Sequence, residues 1–352
     1  MQNENPNLPK VPRPSLNQLA INEPIENVDA SVWKYINKYY ATELRNSKIA
    51  IATVDGITIA YFLYYLATGG SLTEDAVKVF VLFAALPWIV VAVVLAKMRK
   101  KVLHAFYKQF AGANGFTYQE TGWLVLREGA IFKVGHSANM QDIIEGELNG
   151  LPIKIFNYSY AIGSGKSQQN FAKTILEINL KTPVPPMLLL VDAHAFGDNL
   201  SDNNLKNVSK IDLGGDFEKN YNLFSETKFE TEALQIFTPE FLTLIHQKFA
   251  GFSLDFVGEK MYVYALNLIM RKSDLDLMFE FAQTAAERLG QRLPGMKSSI
   301  TAMHEALIKT EKSEISKIIR QGLGYTGVQK TIFVILIVFG VMLIVNFLKV
   351  IF

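Results

Sequence analysis

Asp192 and His194 are the residues whose types and positions best fit catalysis. They follow the apolar run MLLLV and stand at the predicted end of a strand. An aspartate and a histidine at a strand end can hold and transfer a proton. The sequence contains no nucleophile motif such as G-x-S-x-G to accompany them. Asp192 and His194 are therefore catalytic candidates without a recognised reaction.

A second candidate is the segment 163–167, Gly-Ser-Gly-Lys-Ser, which is similar to the end of a phosphate-binding loop. The first glycine of the full motif is replaced by Tyr160, and a strand rather than a helix is predicted to follow. We therefore predict a glycine- and serine-rich hairpin loop here.

Metal sites are not indicated. His304-Glu305 begins like a zinc-binding HExxH helix, but Ile308 stands at the second ligand position. The five histidines are far apart in the sequence, and none has metal-ligand spacing. The acidic cluster of Asp142, Glu145 and Glu147 lacks the glycine and spacing of a calcium loop and is predicted to be a solvated strand edge. The sequence predicts no metal and no cofactor.

Asp55 is the polar residue in the most apolar surroundings, inside the run 49–68. A carboxyl group inside a bilayer is costly and indicates a role in a proton or cation path. The plainer interpretation is that it is protonated, reaches the interface, or bonds to a neighbouring helix. We favour the plainer interpretation, because the other apolar runs hold no acidic or basic residue apart from Lys78 at the start of 76–96.

The elements that would position these residues start with three apolar runs, 49–68, 76–96 and 331–348. Each is about the 20 residues that a helix needs to cross a bilayer. The first two predict a transmembrane helical hairpin, and the third predicts a single C-terminal span. Lys and Arg residues flank the spans on one side, which predicts a multi-pass protein of the cell membrane with a cytoplasmic N-terminus and central domain.

Composition restricts the function classes. The chain is 49% hydrophobic and has a formal net charge of +2. Residues 102–296 contain 17 Lys and Arg against 22 Asp and Glu, so this region lacks the basic surface of a nucleic-acid-binding domain. The absence of cysteine excludes disulfides, thiolate metal sites and cysteine nucleophiles.

The central region predicts an antiparallel, hairpin-rich α+β domain. Asn149-Gly150 and Gly258-Glu259 each stand between two strand-like runs, which is typical of tight hairpins. Helices are predicted from Thr238-Pro239 and from Ser273, and Asp29 is predicted to cap an earlier one. The predicted segments are a disordered tail at 1–26, an interfacial amphipathic helix at 27–48, the transmembrane hairpin at 49–101, the α+β domain at 102–293, a connector at 294–330 and the last span at 331–352.

Several blocks within the chain are familiar together: QDIIEGELNGLPIKIFNYSY, DFEKNYNLFSET, IFTPEFLTLI and FSLDFVGEKMYVYAL. They resemble the bacterial membrane-protein domain-of-unknown-function family thirty-one thirty-seven over residues 106–291. The D-x-x-E-G strand start at Asp142, Glu145 and Gly146 and the TPEF helix start at residues 238–241 carry the resemblance. It implies paired membrane helices before the domain, and it implies no activity, cofactor or site residue.

The function predicted first is a membrane-anchored interaction or scaffold protein that binds lipid headgroups, a protein partner or another copy of itself. An enzyme is the less favoured alternative, with Asp192 and His194 as the residues to test. A small transport component that uses Asp55 is the third.

Overall fold

The computed structural model describes residues 21–292, with gaps at 22, 40, 69–72, 123–128, 192–207, 215–216 and 218–219. All of these residues belong to one compact unit, Met1–Met296. The helices are α1 (Val28–Tyr39), α2 (Ala41–Ala67), α3 (Glu74–Ala113), α4 (Glu230–Ile236), α5 (Pro239–Lys248) and α6 (Lys272–Arg292). The strands are β1 (Thr117–Thr121), β2 (His136–Leu148), β3 (Leu151–Ile162), β4 (Gln169–Asn179), β5 (Met187–Val191), β6 (Val208–Ile211), β7 (Tyr221–Glu226), β8 (Phe252–Val257) and β9 (Lys260–Ala265).

The nine strands form one sheet in the order β1-β2-β3-β4-β9-β8-β5-β7-β6. Every neighbouring pair is antiparallel. The prediction of an antiparallel, hairpin-rich α+β fold is therefore confirmed.

Both predicted tight hairpins are present. Asn149 and Gly150 join β2 to β3 with φ values of 52° and 77°, and two positive φ values are what a two-residue type I′ turn requires. Gly258 has a φ of 60° between β8 and β9, where Val257 pairs with Lys260. The loop at 163–167 joins β3 to β4 and contains a short 3₁₀ turn at Gly165–Ser167, as predicted for a hairpin loop.

One face of the sheet carries an aromatic core. Alternate residues of a strand point to the same face, so Phe156, Tyr158 and Tyr160 of β3 pack together. Tyr262 and Tyr264 of β9 join them, and a 3₁₀ turn at Ala130–Lys133 covers the cluster. The side chains on this face are therefore buried by apolar contacts.

The opposite face packs against helices. In α6 the apolar positions recur at helical spacing and are buried, with Phe281 stacked on Phe249 at a ring-centroid distance of 4.8 Å. Ser273 does not cap this helix, because α6 begins one residue earlier, at Lys272. Pro239 does begin α5, but the Thr238 side chain makes no capping hydrogen bond. Its hydroxyl instead accepts a bond of 2.6 Å from Nη2 of Arg288.

The start of α1 differs from the prediction in its cap. The Asn27 side chain accepts a hydrogen bond of 3.0 Å from the backbone N–H of Ala30, which is the capping contact that was predicted for Asp29. Asp29 lies in the first turn and forms an ion pair of 2.8 Å with Arg99 of α3. The apolar side of α1 is buried, including Tyr35 and Ile36, whereas Trp33 is exposed. Helix α1 therefore packs on the rest of the described structure through this side.

Helices α2 and α3 replace the predicted transmembrane hairpin. Within the part of the chain that the structure describes, no helix is both long enough and apolar enough to span a membrane. The predicted spans at 49–68 and 76–96 and the multi-pass cell-membrane localisation are therefore wrong. Asp55 interrupts the apolar run of α2, and α3 becomes basic from Lys97 onward. The third predicted span, 331–348, lies outside the described residues.

Candidate functional site

The residues that the sequence offered as sites fall partly outside the part of the chain that the structure describes. Asp192, His194 and the HE pair at 304–305 lie outside the described residues. Asp55 lies in α2, where its Oδ2 accepts a hydrogen bond of 3.2 Å from Nε1 of Trp88 in α3. This is the bond to a neighbouring helix that the plainer interpretation of Asp55 predicted. The transport role stays a prediction.

A basic face of α3 forms the most developed polar site. Five basic or titratable residues recur at helical spacing and share one side of the helix: Lys97, Lys100, Lys101, His104 and Lys108. They line an open cavity of about 830 Å³. The far wall comes from β1, through Tyr118 and Glu120, and from Ile21. We call this cavity the lysine pocket.

The N-terminal segment is fastened beside the lysine pocket by a single side chain. Gln109 of α3 donates 3.0 Å hydrogen bonds from Nε2 to the carbonyl oxygens of Ile21 and Glu23. Its Oε1 accepts a 3.0 Å bond from the N–H of Ile25. Glu23 also pairs with Lys34 and Lys38 of α1, whose ammonium groups lower the pKa of Glu23 to about 2. These contacts place Ile21 as a wall of the pocket.

His104 connects the pocket to a buried carboxylate. Its Nδ1 hydrogen-bonds to Oδ1 of Asp142, which is 1% exposed. Tyr118 donates to the same oxygen at 2.8 Å, and Nδ2 of Asn157 donates to Oδ2 at 3.0 Å. With Asp142 as an acceptor, the hydrogen is assigned to Nδ1 of His104, so that Nε2 is the nitrogen left for other contacts.

A β-bulge aims Asp142 at this position. The register of β2 against β3 shifts between Gln141 and Ile144, and Asp142 has a φ of 52°. Aspartate tolerates this left-handed conformation better than most residues, and an inserted residue turns the local side chain away from the regular alternation. The bulge thus places the Asp142 carboxylate on the side of the sheet that faces α3. The prediction of a solvated strand edge is wrong for Asp142, whereas Glu145 and Glu147 are exposed.

The hydrogen-bonded chain continues through the sheet. Oδ1 of Asn157 accepts a bond of 2.7 Å from the hydroxyl of Thr174 on β4, the residue directly opposite it. The Thr174 oxygen in turn accepts the N–H of Ile269 at 2.8 Å and lies 2.8 Å from the hydroxyl of Tyr107. Buried polar groups that are all paired rigidify their surroundings. The chain therefore fixes Asp142, and through it the ring of His104.

The two tyrosines of this network stay protonated. Burial raises the pKa of Tyr107, and burial together with the charge of Asp142 raises the pKa of Tyr118. Each phenol therefore remains a hydrogen-bond donor near neutral pH.

The other nitrogen of His104 lies beside the Glu120 carboxylate and makes no hydrogen bond to the described residues. Nε2 is a buried atom with no hydrogen-bond partner among the described residues, and Oε1 of Glu120 is 3.6 Å away. The imidazole as a whole is 15% exposed. A buried polar atom without a partner is rare and calls for an explanation, such as a ligand that completes its bonding. His104 lines the lysine pocket, so a ligand bound there would lie next to this ring.

One of these features had a signal in the sequence, and the other had none. The lysine spacing on α3 was readable as one helix face, but the same residues were used to predict membrane sidedness. The pairing of His104 with Asp142 had no signal, because the two residues are 38 positions apart and meet only when α3 packs on the bulge. Among the described residues, no group of three or more His, Asp and Glu side chains could hold a metal ion.

Comparisons with known proteins add little to this geometry. No family model matches the chain, and no curated protein matches it. A solved structure, the crystal structure of the mycobacterial trehalose monomycolate transport factor A (TtfA), is similar with a TM-score of 0.40 and 12% identity. The match covers 53% of this chain and 94% of that one. A likeness this distant carries no functional argument. The resemblance to family thirty-one thirty-seven stays a prediction.

Proposed function

We propose that this chain is an interaction protein that binds a compact anionic group, with phosphate as the best-fitting chemistry, in the lysine pocket. The observation that carries this proposal is the alignment of four lysines and His104 on one helix face that opens into a single cavity.

The charge of the pocket supports an anionic ligand. Four positive charges come from Lys97, Lys100, Lys101 and Lys108. Glu120 is the one acidic residue among the described residues of the lining. Ammonium groups are strongly hydrated point charges that bind phosphate oxygens from several directions. The attraction between opposite charges increases where water is partly excluded. A small ligand with more than one negative charge would therefore gain most from this site.

The distribution of charge over the molecule supports a compact ligand rather than a nucleic acid. Residues 102–296 carry more acidic than basic side chains. Nucleic-acid affinity comes mainly from extended basic surfaces that follow a phosphate backbone. Three of the pocket lysines, Lys97, Lys100 and Lys101, lie just before this acidic region, and Lys108 lies within it. A local basic cavity beside an acidic region suits a single phosphate group.

The test is calorimetric titration of the full chain with inorganic phosphate. Replacing two pocket lysines, K100Q/K108Q, should weaken binding by at least about tenfold, because each lost charge near a dianion is worth about 1 kcal/mol. The matched control is K166Q/K228Q, which removes the same charge from exposed lysines outside the pocket lining. Equal affinity in both double variants would contradict the proposal.

A second arm identifies the source of the phosphate. Vesicles of phosphatidylcholine, with and without phosphatidic acid, present a phosphate monoester on a lipid. Sedimentation that depends on phosphatidic acid and on Lys100 and Lys108 would indicate a headgroup. Binding of inorganic phosphate without vesicle binding would indicate a small soluble ligand.

An enzyme is the second candidate, and the pairing of His104 with Asp142 is the observation that favours it. A histidine oriented by a buried carboxylate is the arrangement of a general base. In this role Nε2 would take a proton from water that attacks an anionic ester held by the lysines. Release of product from phosphate or carboxylate esters by the full chain, lost in His104→Ala, is the measurement that would support it.

A further inference from the structure

We infer that the lysine pocket selects a terminal phosphate group and that His104 takes up one proton when this group binds. This inference rests on the proposed function. It adds the chemical class of the ligand and a residue that recognises it.

The position of His104 is fixed before any ligand arrives. Its Nδ1 is bound to Asp142, and Asp142 is held by Tyr118 and Asn157. The ring therefore cannot turn without breaking a buried network. Its Nε2 is enclosed beside the exposed Glu120 carboxylate, 3.6 Å away, and has no hydrogen-bond partner among the described residues. A ligand oxygen that displaces this carboxylate would complete the bonding of the ring.

The groups that face the ring act in opposite directions on its charge. On α3, four lysines of the pocket oppose a positive charge on His104: Lys97, Lys100, Lys101 and Lys108. From β2, Asp142 favours it, and from β1, Glu120 favours it while Tyr118 stays neutral. The empty pocket thus balances repulsion by four cations against attraction by two carboxylates.

A dianion changes that balance. When it binds among the lysines it cancels their repulsion and adds a negative charge beside Nε2. Both effects favour the imidazolium form, whose Nε2–H then donates to the ligand. Because linkage is reciprocal, a ligand that promotes protonation of His104 binds more tightly as the pH falls.

The chemistry of this contact discriminates among anions. A terminal phosphate offers three strong acceptor oxygens and close to two negative charges. A phosphodiester has only two such oxygens and one charge, and a carboxylate likewise has two oxygens and one charge. The lysines together with Nε2 supply more donors than the smaller anions can use. Selection of a terminal phosphate follows.

Sulfate is the sharpest probe, because it stays dianionic over the range in which histidines titrate and so does not add its own pH dependence. Calorimetric titration of the full chain with sodium sulfate should show affinity falling as the pH rises, by up to about tenfold per pH unit for one linked proton. His104→Gln keeps a donor near the Nε2 position without titrating, and its affinity should not vary with pH. Unfolding curves of both proteins establish that the variant is folded.

The proton itself can be counted in the natural chain, which removes any dependence on the variant. The enthalpy of sulfate binding is measured in buffers of different ionisation enthalpy, and the slope gives the protons taken up. We expect an uptake between zero and one proton per sulfate bound at each pH at which the affinity varies with pH. A slope of zero, with binding intact, would overturn the inference and leave the proposed function standing.

Selectivity is tested with phenyl phosphate against dimethyl phosphate. The monoester should bind at least about tenfold more tightly, since it brings a further charge and a further acceptor oxygen. Equal affinity would overturn the ligand class. Failure of sulfate, phosphate and phenyl phosphate to bind at all would sink the proposed function together with the inference.

Discussion

At the scale of single residues, Asp142 is the point where the buried polar contacts converge. Its two oxygens accept from His104, Tyr118 and Asn157, and the bulge in β2 holds it in an unusual backbone conformation. Each of the three donors would lose its partner if the carboxylate were removed. The free energy of unfolding should respond accordingly.

We predict that Asp142→Ala lowers the free energy of unfolding by about 3–5 kcal/mol, because it leaves buried donors unpaired. Urea denaturation measures the change. Glu145→Ala on the same strand is the control, since Glu145 is exposed and its ion pair with Lys154 should contribute less than about 1 kcal/mol. Similar losses in the two variants would show that the network contributes no more than a surface pair.

Asp255 is the second buried carboxyl group among the described residues. Its ionisation lowers the free energy of unfolding as the pH rises, whereas ionisation of a carboxyl group with a lowered pKa increases it. Burial raises the pKa of Asp255, although its Oδ2 accepts 2.7 Å and 2.6 Å bonds from the N–H of Ala130 and the hydroxyl of Tyr264. The folded state therefore binds this proton at a higher pH than the unfolded state does. Its contribution to stability falls as the pH rises from the ordinary aspartate range through the raised pKa.

We predict that Asp255→Asn removes this pH dependence, because an amide oxygen can accept the same two bonds without ionising. The difference in unfolding free energy between the variant and the natural chain should be constant at low pH. It should then move in favour of the variant as the pH rises, by on the order of 1 kcal/mol or more. Urea denaturation over a pH series measures it. A shift in favour of the natural chain would mean that the ionised carboxylate is stabilising.

Residue-scale prediction from the sequence failed where chemistry depends on long-range packing. Asp142 was predicted to be solvated because its neighbours along the chain, Glu145 and Glu147, are acidic. Its burial depends on a bulge and on a helix that lies 38 positions away at His104. No local pattern contains that information.

At the scale of elements, the turns were the most predictable features. Asn149-Gly150 and Gly258 have the backbone freedom that two-residue hairpins demand, so residue type alone located both turns. The start of α5 at Pro239 was also predicted. The runs 49–68 and 76–96 were correctly predicted to be helical, but no described helix is both long enough and apolar enough to cross a membrane.

Two glycines with similar φ values allow the cost of a left-handed backbone to be distinguished from the cost of a steric clash. Gly150 has a φ of 77° with open space at the Cβ position, whereas Gly135 has a φ of 72° and an added Cβ would lie 2.3 Å from the carbonyl oxygen of Ala161. Gly150→Ala should cost about 1–2 kcal/mol for the left-handed conformation alone. Gly135→Ala should cost at least about 2 kcal/mol more, because backbone must move. Thermal and urea unfolding of both variants give the difference, and equal costs would contradict the contact at Ala161.

At the scale of the whole molecule, the sheet consists of two parts that meet at one seam. Strands β1 to β4 follow each other in chain order, and the rest of the sheet is added through the pairing of β4 with β9. The lysine pocket and its hydrogen-bonded chain lie on the first part, with Ile269 as the contact from beyond the seam.

This seam has a consequence for synthesis on the ribosome. Asn179 of β4 pairs with Lys260 of β9, about 80 residues later in the chain. At typical elongation rates β4 waits roughly 4–16 s for its partner, and during that time it is an open edge. Unpaired edges recruit other strands, and charged side chains are a common protection against this. Lys173 and Glu177 lie on β4, and both are largely buried in the finished protein. In the nascent chain, these two charges would oppose pairing of the open β4 edge with other strands until β9 is synthesised.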